Sequence, residues 1–203
     1  MGLLQEYLPE IDSEKIQSEE RKWELIDGIP TMLMPGAPGH TYTNVNMLIP
    51  FYLHFKNSPC KVFIENMKFH LTEKDRFIPD IAVLCDTSIV KKDGAHGPPD
   101  LVVEVLSPTT ARNDEGHKMR IYGESGVKEY WIVDIKNYSI RVYVNQGGKM
   151  ELYDVYMITP REELEFLKSE GKTIPATSLN SLTFPDLAMD LYEIFADVLP
   201  EDY

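Results

Sequence analysis

The sequence predicts a single α/β (α+β) domain with a mixed central β-sheet flanked by helices. Two observations predict it. Candidate strands outnumber candidate helices, and a helical segment sits between the apolar strand ending at Leu106 and the one around Tyr130. The chain's 203 residues fit one domain with a substantial core. Hydrophobic residues at 43% and charged residues at 26% are the balance of a soluble globular protein, which excludes a disordered, collagen-like or disulfide-scaffold chain.

Residues 1–20 are polar and acidic and read as an arm at the edge of a domain spanning 21–203. Trp23 to Met34 reads as two short strands about Asp27-Gly28, a dipeptide suited to a tight hairpin turn. Pro35-Gly-Ala-Pro-Gly39 breaks regular structure. From His40 to Phe55 the pattern is helical, and Val45, Leu48, Ile49, Tyr52 and Leu53 form the expected apolar face; Pro50 is the one residue that argues against the run. Strands are expected at Val62 to Phe69 and Ile78 to Leu84, then, after a Gly/Pro-rich loop from Lys91 to Pro99, at Leu101 to Leu106. Asn113 to Glu124 reads as a helix. Glu129 to Asp134 and Ser139 to Val144 read as paired strands, and Gly147-Gly148 turns the chain into Met150 to Val155. A final helix is expected over Asp186 to Ala196. No internal repeat or low-complexity tract interrupts the chain.

Cys60 and Cys85 lie in apolar surroundings without metal-ligand spacing, so two buried thiols in a reducing cytoplasm are expected. The N-terminus lacks the positive start and apolar stretch of a signal peptide, and Glu6 stands where myristoylation wants Ser or Thr. No apolar run approaches the ~20 residues that cross a bilayer. The formal net charge is −13, with 20 basic against 33 acidic residues, which argues against tight, non-specific nucleic-acid binding. Metal cations at a carboxylate site can offset part of that repulsion.

Glu104 is the most informative residue. It interrupts Leu101-Val-Val-Glu-Val-Leu106, a strand whose two faces both read as buried. An ionised acid buried without a partner costs several kcal/mol, so this one needs a cation, a counter-charge or a raised pKa; the alternative is a half-exposed strand or a structural arginine. Asp80 follows Pro79 at the entry to another apolar strand, where it is either a polar strand start or a second ligand. Two acids on adjacent strands can converge on one hard cation, which takes oxygen ligands.

Pro79-Asp80 followed by Glu104 on a second apolar strand resembles the PD-(D/E)xK nuclease superfamily. Within it the chain is similar to the bacterial restriction-endonuclease-like family known as Uma-two. The likeness rests on Trp23-Glu24-Leu-Ile-Asp27-Gly28, His40 opening a helix, Pro79-Asp80, Asp100-Leu-Val-Val-Glu104-Val-Leu-Ser107-Pro108, Lys118 with Tyr122, Gly126-Val127-Lys-Glu129-Tyr130-Trp131 and the tail Asp186 to Phe195. It covers roughly residues 20–197.

The resemblance implies a restriction-endonuclease-like core and a magnesium- or manganese-dependent hydrolysis of phosphodiesters, with DNA as the substrate. Asp80 and Glu104 would hold the ion together with the backbone carbonyl of Val105. The superfamily's lysine belongs two residues after the strand acid, where this chain has Leu106, and Lys118 on the following helix is the substitute. Its other reading is an exposed lysine paired with Asp114 at i−4. Glu24 is a further carboxylate or an exposed strand residue, and His40 a supporting or proton-transfer group or a surface residue. Tyr130 to Asp134 reads as core strand and a turn residue.

His54, His70, His96 and His117 show no zinc spacing, and the chain has neither a phosphate-binding Gly-rich loop nor a Gly-x-Ser-x-Gly elbow. Two other readings stand beside the nuclease: a non-catalytic interaction protein that keeps the fold, and a hydrolase of another phosphate substrate. A homodimer suits an enzyme that cuts across a two-fold axis, although no residue pattern specifies it.

Overall fold

The computed structural model describes residues 22–108 and 110–200, so the arm read over 1–20 lies outside the described residues. Strands β1 (Trp23–Ile26) and β2 (Ile29–Met32) form the expected hairpin. Asp27 and Gly28 both take positive φ, 49° and 78°, the geometry of a two-residue turn that follows strand twist. Helix α1 (Pro38–Phe55) follows, then β3 (Lys61–Ile64), β4 (Phe69–His70), β5 (Arg76–Phe77), β6 (Ile81–Leu84), β7 (Val90–Lys91), β8 (Gly94–Ala95) and β9 (Leu101–Val105). Helix α2 occupies residues 111–125, and its middle turn, Asp114–Lys118, is π-helical. Strands β10 (Glu129–Asp134), β11 (Ser139–Gln146) and β12 (Lys149–Met157), helix α3 (Arg161–Ser169), strands β13 (Ser178–Asn180) and β14 (Ala188–Asp190) and helix α4 (Leu191–Phe195) complete the chain.

The central sheet has the order β12-β11-β10-β9-β6-β3 and is mixed: β9 and β10 run parallel and the other pairs antiparallel. The connection between the parallel strands is α2, which packs Ile121 and Tyr122 on the face that carries Val102, Tyr130 and Ile132. Helix α1 covers the opposite face, with Met47, Phe51 and Phe55 against Val103, Val105, Trp131 and Val133. A second sheet, β2-β1-β5-β4-β8-β7, brings the hairpin and the 90–95 segment alongside. Among the described residues no helix is long and apolar enough to cross a membrane.

Four expectations change. Helix α1 buries Met47, Phe51 and Phe55, whereas Val45, Ile49, Tyr52 and Leu53 are exposed. This helix is apolar on more than one side, so periodicity alone could not say which stripe meets the sheet. Pro50 is accommodated within it. The strand expected over Val62 to Phe69 breaks after Ile64, where Glu65 turns the chain with φ +35°. The tail folds first as the β13–β14 hairpin, and only Leu191–Phe195 is helical.

Cys60 and Cys85, finally, are joined in a disulfide rather than being two thiols. The register Lys61↔Leu84 between β3 and β6 sets them directly across from one another, one place beyond the paired residues.

Glu129 opens β10 as a fully buried acid. Its carboxylate accepts bonds from Trp131 Nε1 (2.6 Å), Ser181 Oγ (2.8 Å), Leu182 N (3.1 Å) and Thr183 N (2.8 Å). It therefore seats the chain at 181–183 on the edge of the parallel pair. Truncation leaves several buried donors unpaired, at about 1–3 kcal/mol each. Glu129→Ala is expected to lower unfolding free energy by at least about 3 kcal/mol in urea titrations; a loss under about 1 kcal/mol would show that the carboxylate does not hold this segment.

Candidate active site

Asp80 sits one residue before β6, and Glu104 lies within β9. Because Ile81 pairs with Val103 in an antiparallel register, Asp80 falls opposite Glu104 at the end of the strand pair. Alternation along β9 turns Glu104 away from the α1 face and towards α2, where it is almost wholly buried.

Lys118 meets it there. The π-helical turn buries both Asp114 and Lys118, and Lys118 itself is 2% exposed. Its Nζ lies 2.9 Å from Glu24 Oε1, 3.1 Å from Glu104 Oε1 and 3.3 Å from Asp114 Oδ1, with the Phe77 ring centroid 5.6 Å away. The i−4 pair with Asp114 thus forms, but inside the protein rather than at its surface. Glu24 is buried, not an exposed strand residue, and its carboxylate also accepts the Ile78 amide at 2.7 Å, which ties β1 to the Pro79-Asp80 entry. Tyr122 donates to Glu104 Oε1 at 2.9 Å, and Tyr130 donates to the Asp114 carbonyl at 3.1 Å.

The other half of the site surrounds Asp80. Its Oδ2 accepts the Val105 amide at 2.7 Å and lies 3.2 Å from His40 Nε2 near the start of α1. His40, Glu65 and Asp80 each offer a ligand atom within 4.8 Å of the others. Glu65 is held by Asn44 Nδ2 at 3.3 Å and by Lys22 Nζ at 3.1 Å. The group of three close ligands that contains Asp80 is therefore completed by His40 and Glu65, not by Glu104, whose Oε1 is occupied by Lys118 and Tyr122. Val105 contributes its amide to Asp80, and its carbonyl stands at the His40 ring.

Electrostatics follow from burial. Burial pushes the carboxyl of Glu104 well above the usual range; Lys118 opposes this, and Asp114, Asp80 and Glu24 add to it. Glu24 and Asp114 are raised for the same first reason, against the pull of Lys118. Burial alone would depress Lys118, but the three carboxylates outweigh it and hold the ammonium protonated. His40 is likewise raised: burial opposes the charge, and Asp80, Glu65 and the Val105 carbonyl overcome it. Five carboxylates, Glu24, Glu104, Asp114, Asp80 and Glu65, gather around the ammonium groups of Lys118 and Lys22 and the imidazole of His40. That surplus of oxygen donors is the chemistry a hard divalent cation takes, so the residues present fit such an ion. A cleft of about 50 Å³ lined by Glu24, Met32, Met34, Thr110, Asp114 and Lys118 opens beside them.

Of the five residues singled out from the sequence, Glu24, Glu104 and Lys118 come together around the ammonium, and His40 and Asp80 around the end of β6. Glu65 and Tyr122 were not read as site residues, and Asp114 only as the partner of an exposed lysine. Glu65 carried no site signal, because it falls inside the strand expected over Val62 to Phe69; the left-handed backbone that breaks this strand there is visible only in three dimensions. In metal-free buffer, Lys118→Met is expected to cost about 3–5 kcal/mol near neutral pH, the usual loss when one partner of a buried ion pair is removed. Acids whose folded-state pKa lies above the unfolded value add stability in their protonated form at low pH and lose it as pH rises. The cost should therefore shrink between about pH 8 and pH 5. A cost that stays flat or grows on acidification would show that the ammonium is not balancing these carboxylates.

Comparison with known proteins bears on the family and the fold. The Uma2 family, described as "Putative restriction endonuclease", matches residues 5–175. An uncharacterized protein of Synechocystis, slr1290, is 29% identical over 157 residues, covering 75% of this chain and 83% of its own length. A crystal structure from Anabaena variabilis, titled as a putative nuclease belonging to DUF820, superposes with a TM-score of 0.64 at 17% identity, over 87% of this chain and 91% of that one. At that identity the likeness concerns the fold, which is the expected mixed α/β, restriction-endonuclease-like one. The family match covers most of the chain, and the protein belongs to the Uma2 family of putative restriction endonucleases.

Proposed function

We propose that this protein is a divalent-metal-dependent endonuclease that hydrolyses phosphodiester bonds of DNA, with magnesium or manganese as its ion. One observation carries the reading: the strand register sets Asp80 across from Glu104 at the end of two adjacent strands, inside a cluster where carboxylates outnumber cations. Asp80 and Glu104 would hold the ion with the Val105 carbonyl, and Glu65 and His40 flank Asp80. Bound there, the ion would polarise a phosphoryl oxygen and lower the pKa of a coordinated water.

The chain's own residues have defined tasks around it. Lys118 and Tyr122 both bond Glu104 Oε1 and so fix the orientation of that carboxylate, leaving Oε2 for the cation. The amide of Val105 does the same for Asp80 through Oδ2. Such fixed donors act without reorganising during the reaction. His40, held more readily protonated than a free imidazole, is the group suited to proton transfer at the phosphate. The ion also answers the charge problem, because an acidic site in a chain of net charge −13 would repel a phosphate without it.

A second reading has its own support. Lys118 is already saturated by three carboxylates, as a structural counter-ion would be, and this favours a non-catalytic interaction protein that keeps the fold. Cleavage assays on single-stranded DNA, double-stranded DNA, RNA and a simple phosphodiester, each with Mn2+, Mg2+ or chelator, separate the readings. The nuclease reading expects metal-dependent cleavage of DNA, reduced at least about 100-fold in Asp80→Asn and in Glu104→Gln, the order of loss when one preorganised catalytic group is removed. Both variants should keep their circular dichroism. Wild-type protein that cuts none of the four substrates, and takes up no Mn2+ by calorimetry, would decide for the interaction protein.

A further inference from the structure

A second cluster of metal-ligating side chains lies apart from the acidic centre and shares no residue with it. His70 Nε2 is 3.7 Å from Asp93 Oδ2, and His96 Nε2 is 3.0 Å from Asp93 Oδ1. One ligand atom from each of the three lies within 4.8 Å of the other two. The imidazoles stack with centroids 4.4 Å apart and planes 6° from parallel. No short sequence motif announces this group, because His70 and His96 are 26 positions apart in the chain. Sheet pairing unites them.

The backbone builds the arrangement. Strands β4 and β8 run parallel with Phe69 opposite Ala95, so His70 and His96 fall side by side at the next position. Lys91 pairs with Gly94 across the tight β7–β8 turn, which carries Asp93. Gly94 takes φ +137°, and a Cβ there would lie 2.3 Å from the Lys68 carbonyl, so only glycine lets the turn approach β4 so closely. The amide of Ala95 donates to that carbonyl at 2.8 Å and the amide of His96 to Ile89 O at 3.0 Å, fixing the strand on both sides of the turn.

We propose that His70, Asp93 and His96 form a binding site for a transition-metal ion of the zinc type, with two imidazole nitrogens, one carboxylate oxygen and a remaining position open to water. A tetrahedral zinc with bonds of about 2.0–2.2 Å separates its ligand atoms by about 3.3–3.5 Å. His96 Nε2 lies 3.0 Å from Asp93 Oδ1 and His70 Nε2 3.7 Å from Asp93 Oδ2, so ligation through one oxygen requires the Asp93 carboxylate to turn until that oxygen faces both imidazoles. Imidazole nitrogen suits zinc, nickel and copper, whereas magnesium prefers oxygen and water, so a set with two imidazoles favours zinc over magnesium. To ligate the ion, each Nε2 gives up its present bond and passes its hydrogen to Nδ1: His96 leaves the Asp93 carboxylate at 3.0 Å, and His70 the Asp93 backbone carbonyl at 3.2 Å. The ion would pin the β7–β8 turn to β4.

Calorimetric titration of the metal-stripped full chain with Zn2+, in excess Mg2+ to fill the acidic centre, tests this. Wild type is expected to bind one zinc with a rise in Tm. His96→Ala and His70→Ala should each weaken that event at least about tenfold, since even outer-shell partners of a metal contribute that much. Asp80→Asn should leave it intact, which distinguishes it from the nuclease reading. Zinc affinity unchanged in His96→Ala, zinc binding lost in Asp80→Asn but kept in His96→Ala, or no zinc bound by wild type would each overturn the proposal.

Discussion

The arrangement of this site depends on the ammonium of Lys118, buried among Glu24, Glu104 and Asp114. Three carboxylates in a water-poor interior repel one another, and the usual resolution is that they take up protons. A single cation within 3.3 Å of all three opposes that, and the Tyr122 hydroxyl and the Phe77 ring support the charges at its edge. The acids belong to three different elements, namely the β1–β2 hairpin, strand β9 and helix α2. One side chain therefore couples the packing of all three. Such a cluster contributes little net stability against a hydrophobic alternative, because desolvation offsets much of the attraction. A buried cluster of this kind is better explained by what the acids do.

A second latch holds the same elements from outside. Asp75 accepts the Asp27 amide at 2.9 Å from the β1–β2 turn, the Thr72 hydroxyl at 2.7 Å, and His117 Nε2 at 2.6 Å from the π-helical turn. Burial alone would raise its pKa, but these bonds outweigh it, and the carboxyl is held below the usual range. Hairpin and helix are thus joined at Asp75 on one side and at Lys118 on the other. Glu24 is kept within reach of Glu104, and through the Ile78 amide it also sets the entry to Asp80.

Glu104 and Glu129 show what a sequence can and cannot say about a buried acid. Both stand in apolar strands, both are buried, and they lie on the two parallel strands at the centre of the sheet. Glu129 is satisfied by neutral donors, including two backbone amides, and has a structural task. Glu104 is answered by a lysine and a tyrosine within a crowd of other acids. The distinction rests on residues far away in the chain, 181–183 in one case and 114–122 in the other, so strand composition could not make it. The hairpin at Asp27-Gly28, the strands around Glu104 and Trp131, and the mixed sheet were legible because local turn chemistry and apolar runs determine them. The buried face of α1 was not, since apolar residues occupy more than one side of that helix. The β13–β14 hairpin, the Cys60–Cys85 bridge and the role of Glu65 depend on tertiary register, whereas helix α3 did carry a local signal, with Glu162 and Glu163 in its first turn and Lys168 in its last.

The acidic balance of the chain takes on a specific meaning in this structure. Much of the chemistry-bearing negative charge is drawn to the end of β6 and β9, where a cation rather than a basic surface would have to meet phosphate. The central claim is that Asp80 and Glu104 share such an ion. Anomalous diffraction from a crystal soaked in Mn2+ tests it most directly. The account predicts a peak within about 2.0–2.4 Å of a carboxylate oxygen from each residue, bond lengths typical of hard divalent ions. Clear density for both side chains with no manganese between them, or manganese bound only elsewhere, would contradict it.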